Sequence, residues 1–120
     1  MTKGGTMENL TLTAKTDPRG ITILKVSGFV DASNISRFDD ELYSHIKRGE
    51  TKIIIDCSDL QYINSMGMGI LLEARQLATK KDGDIVILNL PKKISKVFEI
   101  LGFNEIFKFY TSEEEALKAL

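Results

Sequence analysis

A chain of 120 residues with 42% hydrophobic and 28% charged content is long enough for one compact domain with a real core and too short for two. Sixteen basic against seventeen acidic residues leave a net charge of -1, so there is no bulk electrostatic footprint for nucleic acid or an anionic membrane, and partners are expected to be proteins. The single cysteine, Cys57, excludes a disulfide framework and a cysteine-based metal site, and agrees with a reducing cytosol. The opening MTKGGTMENL lacks the apolar core of a signal peptide, and no apolar run approaches the length of a membrane span. The protein is therefore expected to be cytoplasmic. Residues 1–8 are expected to form a flexible leader, Met7 being able to initiate the domain, and residues 9–120 the folded part.

Leu10, Leu12 and Ala14 alternate with Thr11, Thr13 and Lys15, and after the turn Asp17-Pro18-Arg19-Gly20 the residues Ile21, Ile23 and Leu24 resume, which predicts a β-hairpin. From Ser33 to Arg48 the apolar positions Ile35, Phe38, Leu42 and Ile46 recur at helical spacing, with Ser33 as N-cap and Gly49 just past the end. Ile53, Ile54 and Ile55 form the continuous apolar run of a strand covered on both faces. Asp56, Ser58 and Asp59 supply turn chemistry before a second apolar pair, Tyr62 and Ile63, and a helix begins at or just after Ser65 and runs to about Lys81. A turn at Asp82-Gly83 leads to a strand from Ile85 to Leu90. Pro91 opens a helix whose Ile94, Val97, Phe98 and Leu101 face inward and which ends at Gly102. Ile106 to Tyr110 give a short last strand, and Thr111 with Glu114 forms a capping box for a terminal helix. The alternation predicts a single α/β domain with a mixed central sheet of about five strands and about four helices, the initial hairpin antiparallel and the later strands mostly parallel.

Catalytic chemistry finds little to stand on. The only histidine, His45, lies mid-helix and reads as a partly exposed helix residue, with no serine or cysteine constellation brought to it. One His and one Cys leave only carboxylates for a metal, and Asp39/Asp40 and Glu113/Glu114/Glu115 read as a solvated face and an acidic first turn that suits the helix dipole. Ser65-Met66-Gly67-Met68-Gly69 lacks the spacing and the Lys-Ser/Thr of a nucleotide P-loop. A receiver domain would need an early acidic cluster, and before Asp56 the first strand offers only Asp17.

What stands out is a serine at a helix N-terminus with two glycines behind it, each of which costs about 1 kcal/mol against alanine in a helix interior. In open α/β sheets sites lie outside the strand C-termini, where both the Ser65 loop and Gly28-Phe29-Val30-Asp31 fall. A wheel at about 100° per residue places Met66, Ile70, Leu71, Ala74, Leu77 and Ala78 on the core arc, with Gly67 at its edge. Ser65, Met68, Gly69 and Leu72 then share the solvent arc with Glu73, Arg75 and Gln76, so Met68 and Leu72 are expected to form a docking patch beside the hydroxyl. Ser65 also suits an ordinary N-cap. A phosphoryl group there would add about 1.5 to 2 negative charges, which a helix N-terminus tolerates and a docked partner surface would not.

These residues resemble the anti-sigma factor antagonists of the STAS domain class, over about Leu10 to Leu120. The family's apolar strand, Asp-Leu, apolar or aromatic pair and Asp-Ser-Ser/Ala-Gly-Leu-Gly are met by Ile53-Ile54-Ile55-Asp56, Asp59-Leu60, Tyr62-Ile63 and Asn64-Ser65-Met66-Gly67-Met68-Gly69. Its Gly-x-Leu-Asp reads Gly28-Phe29-Val30-Asp31, and its Leu-x-x-Leu-Gly reads Phe98-Glu99-Ile100-Leu101-Gly102. The resemblance implies that Ser65 is the phosphoacceptor, and that the unphosphorylated protein binds an anti-sigma factor of serine kinase type and so frees a sigma factor. The kinase would use ATP and Mg, a phosphatase acting on phospho-Ser65 would reverse it, and the antagonist itself would be no enzyme and hold no cofactor. Asp31, Asn64, Met66, Gly67, Met68, Gly69 and Leu72 are the expected partner-binding residues. Two departures from the family pattern are Asn64 for Asp, which keeps hydrogen-bonding capacity without the charge, and Met66 for a small residue. The alternatives are a ligand-sensing domain that binds a nucleotide or small anion at the Ser65 helix, and a non-phosphorylated scaffold in a signalling assembly.

Overall fold

A computed structural model describes residues 9–120, and the expected leader lies outside the described residues. The chain runs β1 (Leu10–Thr16), β2 (Thr22–Val30), α1 (Ile35–Lys47), β3 (Lys52–Asp56), β4 (Leu60–Ile63), α2 (Ser65–Lys80), β5 (Asp84–Leu88), α3 (Lys92–Ile100), β6 (Phe109–Tyr110) and α4 (Glu113–Ala119). The alternating hairpin forms as the pattern requires, with Leu10 opposite Gly28 and Thr16 opposite Thr22 in antiparallel register. All later pairings are parallel, in the order β1-β2-β3-β5-β6. The mixed sheet and the four helices thus follow the expectation.

The sixth strand is a finding. β4, expected only as an apolar pair within a loop, pairs in parallel with the end of β2, Phe29 opposite Tyr62 and Val30 opposite Ile63. β3 and β4 therefore follow one another along the same edge of β2, separated by the turn at Cys57, whose N–H donates to the Leu88 carbonyl at 2.8 Å. Lys25 Nζ pairs with Asp59 at 2.9 Å and ties that turn back to β2. Burial, with Asp56 nearby, pushes the Cys57 thiol far above its ordinary range, which leaves it a core residue rather than a nucleophile.

Two apolar clusters cover the two sides of the sheet. The larger joins Leu24, Val26 and Val30 to Phe38 and Leu42 of α1, Met68, Leu71 and Ala74 of α2, and Ile94 and Phe98 of α3. The smaller joins Ile21, Ile23, Ile54, Val86 and Leu88 to Ala116 of α4. The three isoleucines of β3 are buried because both faces are covered.

Several local expectations are corrected. Asn34, not Ser33, precedes α1; the Ser33 hydroxyl donates instead to Asp31 Oδ1 at 2.6 Å. His45 is buried, its ring held between Glu41 (2.9 Å) and Glu50 (2.6 Å). On α3 only Ile94 and Phe98 turn inward, whereas Val97 and Leu101 are exposed. Phe98, packed edge-on against Phe103 and Phe109 at 5.2 and 6.2 Å, completes that part of the core. The last strand is only two residues because Phe103–Glu105 forms a 3-10 turn after Gly102, whose φ of 80° ends α3 as expected. Ser112 rather than Thr111 caps α4, accepting from the Glu115 N–H at 3.4 Å. Among the described residues no helix is long and apolar enough to cross a membrane.

Candidate functional site

The start of α2 is fixed by Asn64. Its N–H donates to the Val30 carbonyl at 3.0 Å, anchoring the helix entry to the end of β2. Its extended backbone (φ -81°, ψ 172°) turns its side-chain Oδ1 over the first turn, where it accepts from the Gly67 N–H at 2.8 Å. Asn64, and not Ser65, is therefore the N-cap of α2. Ser65 is the first helical residue; it is exposed, and its hydroxyl has no hydrogen-bond partner among the described residues.

The β2–α1 loop adjoins this entry, because Asp31 directly follows the residue whose carbonyl holds Asn64. Asp31 Oδ1 accepts from the Ser33 N–H and hydroxyl, while its own N–H donates to Asn34 Oδ1 at 3.0 Å. Buried Asn34 donates in turn to the Phe29 carbonyl at 2.8 Å. The loop is thus braced by its own side chains, and it sets Asp31 next to Asn64 at the entry of α2.

The two glycines differ. Gly67 is buried, and a Cβ there would sit 2.7 Å from Ile63 Cγ1 and 2.9 Å from Val30 Cγ1, so its bareness lets α2 pack on the ends of β2 and β4. Gly69 is exposed, and a Cβ there would meet nothing within 4 Å. The fold has no steric use for Gly69, whereas a surface docking on α2 would.

The solvent arc of α2 is rotated from the expected one. Met66, expected in the core, is 63% exposed, and Met68, expected outside, is 6% exposed. The buried seam is Gly67, Met68, Leu71, Ala74 and Ala78. Leu72 is half-buried against the main core. Of the expected partner-binding residues, Met66 and Gly69 therefore face outward with Ser65, while Gly67 and Met68 support them from inside. Gly67 lies on that buried side, where its missing side chain leaves room for Ile63 and Val30.

The sequence reading passed over further outward apolar side chains. Phe29 and Tyr62 face each other across β2 and β4, both about half-exposed. Between β4 and α3 lies an open groove of about 240 Å³ whose walls include Tyr62, Ile63, Met68, Ile94 and Val97. The signal for Tyr62 was its place beside Ile63 in a strand with only one covered face. Among the described residues no group of three or more His, Cys, Asp or Glu is placed to hold a metal.

Comparison with known proteins adds the lineage. Residues 13–116 match the model of the STAS domain. BtrV of Bordetella bronchiseptica, named as an anti-sigma factor antagonist, is 31% identical over 100 residues, which cover 83% of this chain and 86% of that protein. The structure of an anti-sigma factor antagonist from Mycobacterium paratuberculosis superimposes with a TM-score of 0.81 at 20% identity, covering 92% of each chain. SpoIIAA, an anti-sigma factor antagonist solved in its unphosphorylated form, gives 0.79 at 21% identity over 91% of this chain and 95% of its own. The Bacillus SpoIIAA in its phosphorylated form gives 0.73 at 22% identity over 91% and 98%. At these identities the structural likeness speaks for the fold.

Proposed function

The chain belongs to the STAS domain family, among its anti-sigma factor antagonists, and from that premise we propose a phosphorylation-gated protein switch. In this reading the unphosphorylated surface around Ser65 binds an anti-sigma factor that is also a serine kinase, releasing a sigma factor for transcription. The kinase transfers the γ-phosphoryl of ATP to Ser65 Oγ, and a phosphatase returns the hydroxyl. The protein acts by binding and catalyses nothing, in the cytoplasm where sigma factors work.

The observation that carries this reading is the division of labour at the helix entry: Asn64 caps α2, so the exposed Ser65 hydroxyl has no structural duty. Ser65 can therefore enter a kinase site without releasing a cap hydrogen bond from the first turn of α2. The added charge sits at the positive end of α2, where an anion stabilises a helix by about 0.3 to 1 kcal/mol. The fold thus accepts the phosphate. A partner covering Ser65, Met66 and Gly69 would have to bury about two negative charges, and it does not accept it. In this reading Asp31 and Asn64, at the same helix entry, belong to the partner-binding surface.

Intact-mass spectrometry after incubation with a serine-kinase-type anti-sigma factor, ATP and Mg tests the modification. Wild type should gain one phosphate and Ser65→Ala none. Ser65→Ala should still bind the anti-sigma factor and Ser65→Asp should bind at least about ten-fold more weakly, with both variants melting close to wild type. Phosphate found on Ser65→Ala, or undiminished binding by Ser65→Asp, would refute the switch.

A further inference from the structure

The exposed side of α3 mixes lysines with large apolar side chains. Lys93, Lys96, Val97 and Ile100 recur at i, i+3, i+4 and i+7 and so lie along one stripe of the helix. All four are exposed, Ile100 at 82%, and Leu101 continues the apolar end of the stripe. Lys92, Lys93 and Lys96 form no ion pair among the described residues, although the chain as a whole carries a net charge of only -1. A helix of nine residues that turns only Ile94 and Phe98 into the core leaves this mixed basic and apolar face without an internal purpose.

That face borders the groove against β4. Val97 forms one of its walls, Lys93 stands with it, and Met68 and Ile63 form the side towards Asn64 and Ser65. At about 240 Å³ and open to solvent, the groove is smaller than the roughly 300 to 1,000 Å³ of enclosed small-molecule sites, yet ample for one large apolar side chain.

We infer that α3 and this groove are a second docking surface for the anti-sigma factor, taking an acidic segment of it that carries an apolar anchor; the inference rests on the function proposed above. The anchor enters the groove beside Val97, Ile94 and Met68. Carboxylates flanking it meet Lys93 and Lys96, and Ile100 packs along the segment. Charge complementarity selects the acidic partner. The shared wall at Ile63 and Met68 makes the surface continuous with Ser65, so one partner covers both. The Ser65 end then reports the phosphorylation state, while α3 supplies affinity and orientation that do not depend on it.

The test titrates a purified serine-kinase-type anti-sigma factor with wild type, Lys93→Glu/Lys96→Glu, Ile100→Ser and Ser65→Asp, at low and high ionic strength. The surface substitutions should leave the melting temperature near wild type. Lys93→Glu/Lys96→Glu should weaken binding about ten-fold at low salt, with a deficit that shrinks as salt screens the pairing. Ile100→Ser should weaken it several-fold at both salt levels. Wild-type affinity in the lysine and isoleucine variants, with Ser65→Asp still defective, would overturn the α3 surface and leave the Ser65 switch standing. Failure of wild type to bind at all would overturn both. Flotation of wild type, but not of Lys93→Glu/Lys96→Glu, on phosphatidylcholine–phosphatidylglycerol vesicles, with unchanged anti-sigma affinity, would reassign the stripe to a membrane surface and overturn the inference.

Discussion

Gly67 and Gly69 stand two residues apart in one helix and should answer the same substitution with opposite signs. Gly69→Ala places a methyl group in open space and removes a glycine from a helix interior, so it should stabilise the protein by about 1 kcal/mol. Gly67→Ala drives a methyl group into Ile63 and Val30, and overpacking of that kind costs about 1 to 3 kcal/mol. Chemical denaturation of both variants measures the two changes directly. If Gly69→Ala gains stability and loses anti-sigma affinity, the glycine serves the partner and not the fold. The sequence could announce that two glycines open α2 but not which of them the core needs, because that depends on how close the strand ends approach. The same ignorance misplaced Met66 and Met68: a wheel fixes relative angles, and the packing of the whole buried seam against the strands fixes which way the helix is turned.

Among the elements, those with long periodic patterns were legible and those made by context were not. The hairpin, α1 and the isoleucine strand declared themselves by alternation, by helical spacing and by an unbroken apolar run. β4 has four residues and a mixed exposure pattern, so it is a strand only because β2 extends beyond β3 and offers it an edge. α3 was read with too wide an inward face. Periodicity cannot tell an apolar residue packed by the core from an exposed one, and beneath α3 the core is completed by Ile94 and Phe98, with Phe103, Phe107 and Phe109 packed in the same cluster. For α2 the decisive element-scale test is its cap. Asn64→Ala removes the acceptor for the Gly67 N–H and should cost about 1 kcal/mol in a thermal or denaturant melt. Asn64→Asp should retain the cap and restore the residue that the family pattern has there, so it should melt at or above wild type and still accept phosphate at Ser65.

Across the whole molecule, β2 joins two polar centres of different purpose. Its end at Val30 holds Asn64, whereas its start at Thr22 lies 3.5 Å from Glu50, and nine residues of strand separate them by about 25 Å. At the far centre Glu50 meets buried His45 at 2.6 Å and Arg48 at 3.2 Å, and these hydrogen bonds, His45 first, hold its carboxyl below the ordinary carboxylate value. A carboxyl whose folded value is depressed contributes stability that is fully present above its unfolded value and is lost as pH falls through the folded one. Wild type should therefore lose stability as pH drops below about 4.5, the ordinary value for Glu50. Glu50→Gln should be less stable near neutral pH by about 1 kcal/mol, a modest figure because solvent reaches the pair. Its acid limb should be shallower, so that the two curves converge towards low pH in denaturant melts taken across the range. Sites so far apart with no shared partner behave additively. The same variant should then bind the anti-sigma factor as wild type does wherever both are folded. A Glu50→Gln protein that melts normally at neutral pH would show that the charge of Glu50 adds nothing to stability, and one that folds but loses anti-sigma binding would show that the two ends of β2 are coupled.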